Sequence, residues 1–202
     1  MDNNFSTQVK EIISFSREEA LRFFNLETNK VTVLSVGGSL GAKSINDALA
    51  NKLDSFAMHN LQLIWQTGKT TAGQYQERAK GLTNIWVGDF ITQMELGYAA
   101  ADIVISRSGA MAVTEMCIAG KPVIFVPYPH AAEDHQTANA KVLVNEMAAL
   151  IVKDKEANEK LVGITISLAE NLNLQKKLHS NISRFAIKDA DVVIAKEILN
   201  QI

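Results

Sequence analysis

Residues 31–44 read Val-Thr-Val-Leu-Ser-Val-Gly-Gly-Ser-Leu-Gly-Ala-Lys-Ser, a six-residue β-branched run that ends on glycines and leads into helical spacing over Ser44–Met58. Continuous apolarity, rather than alternation with polar residues, predicts a strand buried on both faces. The pattern repeats outward. Leu61–Gln66, Ile85–Val87, Ile103–Ser106, Val123–Val126 and Ala149–Val152 are further short apolar runs, with helical spacing at Ala72–Ala79, Met94–Ala101, Ala112–Ala119 and Asp134–Met147 between them. Strand–helix–strand repetition at this pitch demands right-handed crossovers, so the expected fold class is α/β: a parallel sheet with helices on both faces.

Toward the amino terminus, Ser16-Arg17-Glu18-Glu19 is a capping box that opens a helix through Phe24. Residues 1–15 are polar and read as a linker, so the domain is expected over residues 16–202. After the sixth strand the chain reads as helical, with Val192, Ile194, Ile198 and Leu199 as the apolar side of a closing helix.

The chain has 202 residues, 47% of them hydrophobic, and a formal net charge of −2. One domain of this size buries enough surface to hold a core without disulfides or metal. The single cysteine, Cys117, precludes an intrachain disulfide and suits a reducing compartment. No 18-residue apolar run and no signal-like opening is present, which predicts a soluble chain without a membrane span. A near-balanced charge argues against a general nucleic-acid partner.

In an open parallel sheet, ligands bind beyond the carboxyl ends of the strands, and three loops there carry unusual residues. The first is Gly37-Gly38-Ser39-Leu40-Gly41-Ala42-Lys43-Ser44. Its glycines admit close backbone approach, and the helix behind it offers free N–H groups to an anion. It lacks the GxGxxG order of the dinucleotide fingerprint. It also misses a Walker A loop by one residue, with Ala42 in place of the second glycine, and no later strand ends in a magnesium-holding aspartate. A tight turn alone would equally account for the glycines.

The second loop is Ser106-Arg107-Ser108-Gly109-Ala110-Met111-Ala112-Val113-Thr114-Glu115. Gly109 starts a helix whose first amides, near Ala110–Ala112, would point into the cleft, and a helix N-terminus favours negative charge by roughly 0.3–1 kcal/mol. One turn along, Glu115 can accept hydrogen bonds from a diol such as a ribose, or simply complement the helix dipole. Arg107 could bind phosphate or pair with a neighbouring acid. The third loop, Pro127 to Asn139, is stiffened by Pro127 and Pro129, with Asp134 as the expected cap of the next helix. Gln136 and Asn139 share a helical face and could both reach a polar ligand. His130, Glu133, Asp134 and His135 lack the spacing of a helical zinc pair, so no metal is expected. No triad, carboxylate pair or cysteine nucleophile assembles. These residues point to a domain that binds an anionic, hydroxyl-rich ligand.

Taken together, GGSLGAKSIN, WQTGK, DFI with Met94, YAAADIVISRSGAMAVTE and GKPVIFVPYPHAAEDHQTANA resemble the carboxyl-terminal, donor-binding domain of the MurG family, GT-B glycosyltransferases of family 28. The resemblance runs from about Ser16 to the end. It implies a Rossmann-like domain that binds UDP-N-acetylglucosamine (UDP-GlcNAc) without metal or other cofactor. By motif, Ser39 and the amides of Ala110 and Met111 would hold the diphosphate, and Ile91 would meet the uracil through its main chain. Glu115 would accept the ribose hydroxyls, Gln136 would contact the sugar, and Ala112, Val113 and Thr114 would complete the helix start. Gly38, Arg107, Gly109 and Asn139 are additional candidates.

The resemblance also implies what the chain lacks. Complete members carry a second, amino-terminal domain with the acceptor site, the membrane-facing patch and the proposed catalytic base. That domain is expected to be absent, which leaves no catalytic residue here and no sugar transfer by the chain alone. The family's Asn-Pro-x-Arg stretch corresponds loosely to Asn3-Asn4-Phe5-Ser6, without its Pro and Arg. The expected partners are UDP-GlcNAc and, through the other domain, a lipid-linked muramoyl-pentapeptide, at the cytoplasmic side of the bacterial plasma membrane. The alternatives are a donor-binding subunit of a two-chain transferase and a non-catalytic nucleotide-sugar-binding module.

Overall fold

Strand β1 (Val31–Val36) sits in mid-sheet, paired in parallel with β2 (Leu61–Gln66) on one side and β4 (Ile103–Ser106) on the other. In this computed structural model, which describes residues 15–70 and 72–186, β3 (Ile85–Gly88) joins β2, and β5 (Val123–Phe125) and β6 (Leu150–Ile151) extend the far side. The order β3-β2-β1-β4-β5-β6, all parallel, steps outward to one side from β1 and to the other from β4, so the connections leaving their carboxyl ends run opposite ways and open a crevice between them. The expected α/β class is therefore the observed one. Of the linker read over residues 1–15, all but Phe15 lies outside the described residues, as does the closing helix around Val192–Leu199.

Two apolar layers hold the helices, and strand alternation sorts side chains between them. Val33, Leu63, Ile103 and Ile124 face α2 (Lys43–Ala50), α3 (Leu53–Met58), α4 (Ala72–Ala79) and α8 (Ala157–Ala169). Their neighbours Leu34, Ile64, Val104 and Phe125 face α1 (Arg17–Phe23), α5 (Met94–Ala100), α6 (Ala110–Ala119) and α7 (His135–Asn145). The last described helix, α9 (Leu172–Ile182), contributes Leu178 to one layer and Ile182 to the other. Cys117 lies in the second layer, where burial pushes its thiol up to about 11, so it is a core residue and not a nucleophile.

The expected single helix over Ser44–Met58 is two helices with a break at Asn51–Lys52. Tertiary bonds hold that break: Asn51 Nδ2 donates to Asn158 Oδ1 at 2.8 Å and Lys52 Nζ to the Glu159 carbonyl at 3.0 Å, both on α8. Asp134 is not the side-chain cap of α7. Both Glu133 and Asp134 adopt left-handed backbone (φ 49° and 52°), and a short 3₁₀ turn over Ala132–Asp134 aims the chain into the helix instead.

At the amino ends of the strands a clasp fixes α1. The Ser16–Glu19 capping box is complete, with Ser16 N donating to Glu19 Oε2 at 3.0 Å and Glu19 N to Ser16 Oγ at 3.2 Å. Arg17 then donates to the carbonyls of Thr28 and Lys30 and to Asp102 Oδ2 at 2.8 Å, and the same carboxylate oxygen accepts the amide of buried Thr32. Asp102→Ala leaves that amide and the guanidinium without their acceptor. It is expected to cost about 1–3 kcal/mol in denaturant unfolding, with the cleft at the opposite sheet edge unaffected.

Candidate functional site

The carboxyl ends of the strands frame a cleft of about 1230 Å³, walled by the loops after β1, β4 and β5. Its first wall depends on two glycines set back to back, Gly41 (φ +81°) and Gly68 (φ +80°). A Cβ on Gly41 would stand 2.0 Å from the Thr67 carbonyl oxygen, and one on Gly68 would stand 2.1 Å from the Gly41 nitrogen. Buried Asn46 supports the contact by donating to the Thr67 carbonyl at 2.7 Å while accepting from Trp65 Nε1 at 2.9 Å. Gln66 ties the same loop to the one after β3: its Nε2 donates to the Gly38 carbonyl at 3.2 Å and its Oε1 accepts the Ile91 amide at 3.0 Å. Ser39, exposed at the crest, is thereby presented to the cleft.

The second wall is the start of α6. Gly109 takes the N-cap position with extended backbone and no side-chain cap, and the first helical bond runs from Val113 N to the Gly109 carbonyl. The amides of Ala110, Met111 and Ala112 therefore have no intrahelical acceptor, and all three residues line the cleft. Glu115 lines it one turn further on, its Oε2 accepting from Tyr98 Oη at 2.7 Å. Burial first, and then the Glu115 charge, hold the Tyr98 phenol well above the usual tyrosine range, so it stays a donor at neutral pH. Val113 packs into the core, and Thr114 Oγ1 donates back to the Ala110 carbonyl at 3.0 Å, so both support the helix start and neither lines the cleft.

Arg107 is committed within the protein. Its Nη1 donates to Asp154 Oδ1 at 2.5 Å and to the carbonyls of Val126 and Pro127 at 2.9 and 3.2 Å, and its Nη2 donates to Ser44 Oγ at 3.1 Å. Of the two roles open to it in the sequence, pairing with an acid is the one observed. Gln136 braces two loops, its Oε1 accepting the amides of Tyr128 at 3.0 Å and Ser108 at 3.3 Å, which leaves its Nε2 as the group for a ligand. Asn139 does not line the cleft and instead donates to the Ser108 carbonyl at 3.1 Å. Ile91 keeps its side chain in the core and its amide on Gln66, so its carbonyl is the group it could offer. Lys43 forms an ion pair with Asp47 and points along its own helix.

Sequence spacing did not single out Tyr98, Asp154, Gln66 or Asn46. Each acts on a partner 17 to 47 residues away, and a buried polar residue at a strand end, such as Gln66, was the only local signal. Among the described residues no three His, Cys, Asp or Glu side chains group as a metal site.

A helix N-terminus without a side-chain cap, a carboxylate that accepts from a tyrosine and a carboxamide surround one crevice of a Rossmann-like domain. The chain belongs to glycosyltransferase family 28: the family's C-terminal domain matches residues 32–196. It is 46% identical over 187 residues, 91% of this chain, to a UDP-N-acetylglucosamine–N-acetylmuramyl-(pentapeptide) pyrophosphoryl-undecaprenol N-acetylglucosamine transferase of Bacteroides fragilis, covering 49% of that protein. A protein of the same description from Parabacteroides distasonis is 41% identical over 98% of the chain and 54% of its own length. Among solved structures, MurG of Acinetobacter baumannii superposes with a TM-score of 0.67 at 31% identity, over 87% of this chain and 50% of that one. The chain thus spans about half the length of the curated relatives it matches, and its fold is that of a GT-B half.

Gly41→Ala is expected to expel the glycine loop from Thr67. The measurement is a pair of amide correlation spectra, in which large shifts should centre on residues 38–42 and 66–69 while the α8 and α9 signals stay in place.

Proposed function

We propose that this chain is the donor-binding half of an inverting N-acetylglucosaminyltransferase that binds UDP-GlcNAc. With an acceptor-binding half, it would deliver GlcNAc to a lipid-linked muramoyl-pentapeptide in peptidoglycan synthesis. The observation that carries the reading is the pairing of three unpartnered amides, Ala110–Ala112, with Glu115 one turn along the same helix. A nucleoside diphosphate and its ribose supply an anion and a diol that suit this pairing. The names of the relatives supply the sugar and the acceptor.

In this reading the diphosphate lies on the amides of Ala110 and Met111 and on Ser39, with Gly38 and Gly109 giving the backbone room to approach. The free oxygen of Glu115 accepts the ribose hydroxyls, the Ile91 carbonyl meets the uracil, and Gln136 Nε2 reaches the sugar. Ala112, Val113 and Thr114 shape the helix start, while Arg107 and Asn139 position loops. Transfer itself needs a base from the acceptor half, which takes the proton of the acceptor hydroxyl. That oxygen attacks the anomeric carbon, the bond from carbon to the diphosphate oxygen breaks, and UDP leaves with its new charge on the α6 amides. No cofactor takes part. The site of action is the cytoplasmic face of the plasma membrane, reached through the acceptor half; among the described residues no helix is long and apolar enough to cross a membrane.

Glu115→Ala is expected to weaken UDP binding by about 1–3 kcal/mol in calorimetric titration, the loss for hydrogen bonds to a charged group. Lys43→Ala should leave UDP affinity unchanged, because Lys43 is paired with Asp47 on its own helix. A large loss at Lys43 with none at Glu115 would replace this reading with an ATP-type phosphate loop.

A further inference from the structure

Three basic side chains line the cleft: Lys43, Arg107 and His130. The first two are neutralised in place, Lys43 by Asp47 and Arg107 by Asp154. The cleft's remaining carboxylate, Glu115, is held by Tyr98. His130 is different. Among the described residues it forms no ion pair and no hydrogen bond, and its ring rests edge-on against Tyr128, with centroids 5.6 Å apart. The loop that carries it is held in place. Pro127 and Pro129 restrict its backbone, the Tyr128 amide is bonded to Gln136, and Arg107 lies 5.5 Å from the Tyr128 ring centroid. The imidazole is therefore held at the cleft margin with both nitrogens available.

We propose that His130 is a side-chain contact for the diphosphate of the bound nucleotide sugar, a ring N–H donating to a phosphate oxygen. The proposal rests on the reading of the cleft as a donor site and adds a side-chain donor to its backbone amides. The charged and titratable groups around it are Glu133, Asp134 and His135 on the segment that follows, Arg107 and Glu115 from the loop and helix after β4, Tyr98 from α5, Lys43 and Asp47 from α2, and Asp154 after β6. Of these, His135 has its Nδ1 2.7 Å from the Ala132 carbonyl and does not line the cleft. Among the described residues that line the cleft, His130 is thus the basic side chain without an acidic partner.

The test is calorimetric titration of the wild-type chain, His130→Gln and His130→Lys with UDP-GlcNAc and with uridine. His130→Gln should lose roughly tenfold in UDP-GlcNAc affinity, the scale of one charge-assisted hydrogen bond. His130→Lys should bind UDP-GlcNAc as well as the wild type, and uridine should be indifferent to both changes. Because the side chain is exposed, the variants should melt with the wild type. UDP-GlcNAc binding by His130→Gln that matches the wild type in strength overturns the His130 contact and leaves the donor site standing. A wild-type chain that binds neither ligand overturns the donor-site reading and the contact with it.

Discussion

The cleft wall is fastened by one guanidinium. Arg107 reaches Ser44 behind β1, the carbonyls of Val126 and Pro127 behind β5, and Asp154 behind β6, while its own backbone forms the loop behind β4. Four loops that the sheet only brings near one another are thereby locked into a single surface. The pair is largely buried, with side chains 14% and 21% exposed, and half-buried charges are costly to desolvate. Here the planar fork meets a carboxylate, two carbonyls and a hydroxyl, and this density of charge-assisted bonds offsets the cost. A lysine would present a point charge in place of the fork.

Neutralising Arg107 has a chemical consequence. Arg107 has no free guanidinium to offer an anion, and in the proposed reading the diphosphate meets amides fixed at the end of a ten-residue helix, which need no reorganisation when charge develops on the leaving group. The back-to-back glycines serve the same end from the opposite wall. They let two loops touch through their backbones, so that Ser39 stands over the space that the α6 amides face. Glu115 fits the scheme because Tyr98 keeps one of its oxygens occupied and its orientation set.

Much of this was legible in the sequence. Apolar β-branched runs gave away the parallel strands, because a strand buried on both faces has no polar alternation to show. Glu115 and the helix start at Gly109 were readable because position along one helix settles their relation. The rest depended on contacts between distant elements. Arg107 was open between phosphate and acid until β6 placed Asp154 beside it, and Asn139 shared a helical face with Gln136 yet bonds Ser108 instead of facing the cleft. The break at Asn51–Lys52 is stabilised from α8, more than a hundred residues away, and Asp134 looked like a cap because local rules could not foresee two successive left-handed residues.

The central claim is that backbone amides at the start of α6 hold the ligand's diphosphate. Amide correlation spectra of the chain titrated with UDP-GlcNAc, beside a titration with uridine, test it most directly. The account predicts that the signals of Ala110, Met111 and Ala112 move strongly with UDP-GlcNAc and little with uridine, while residues near Glu115 and Ile91 respond to both. UDP-GlcNAc binding that leaves the three α6 amides unmoved would contradict it.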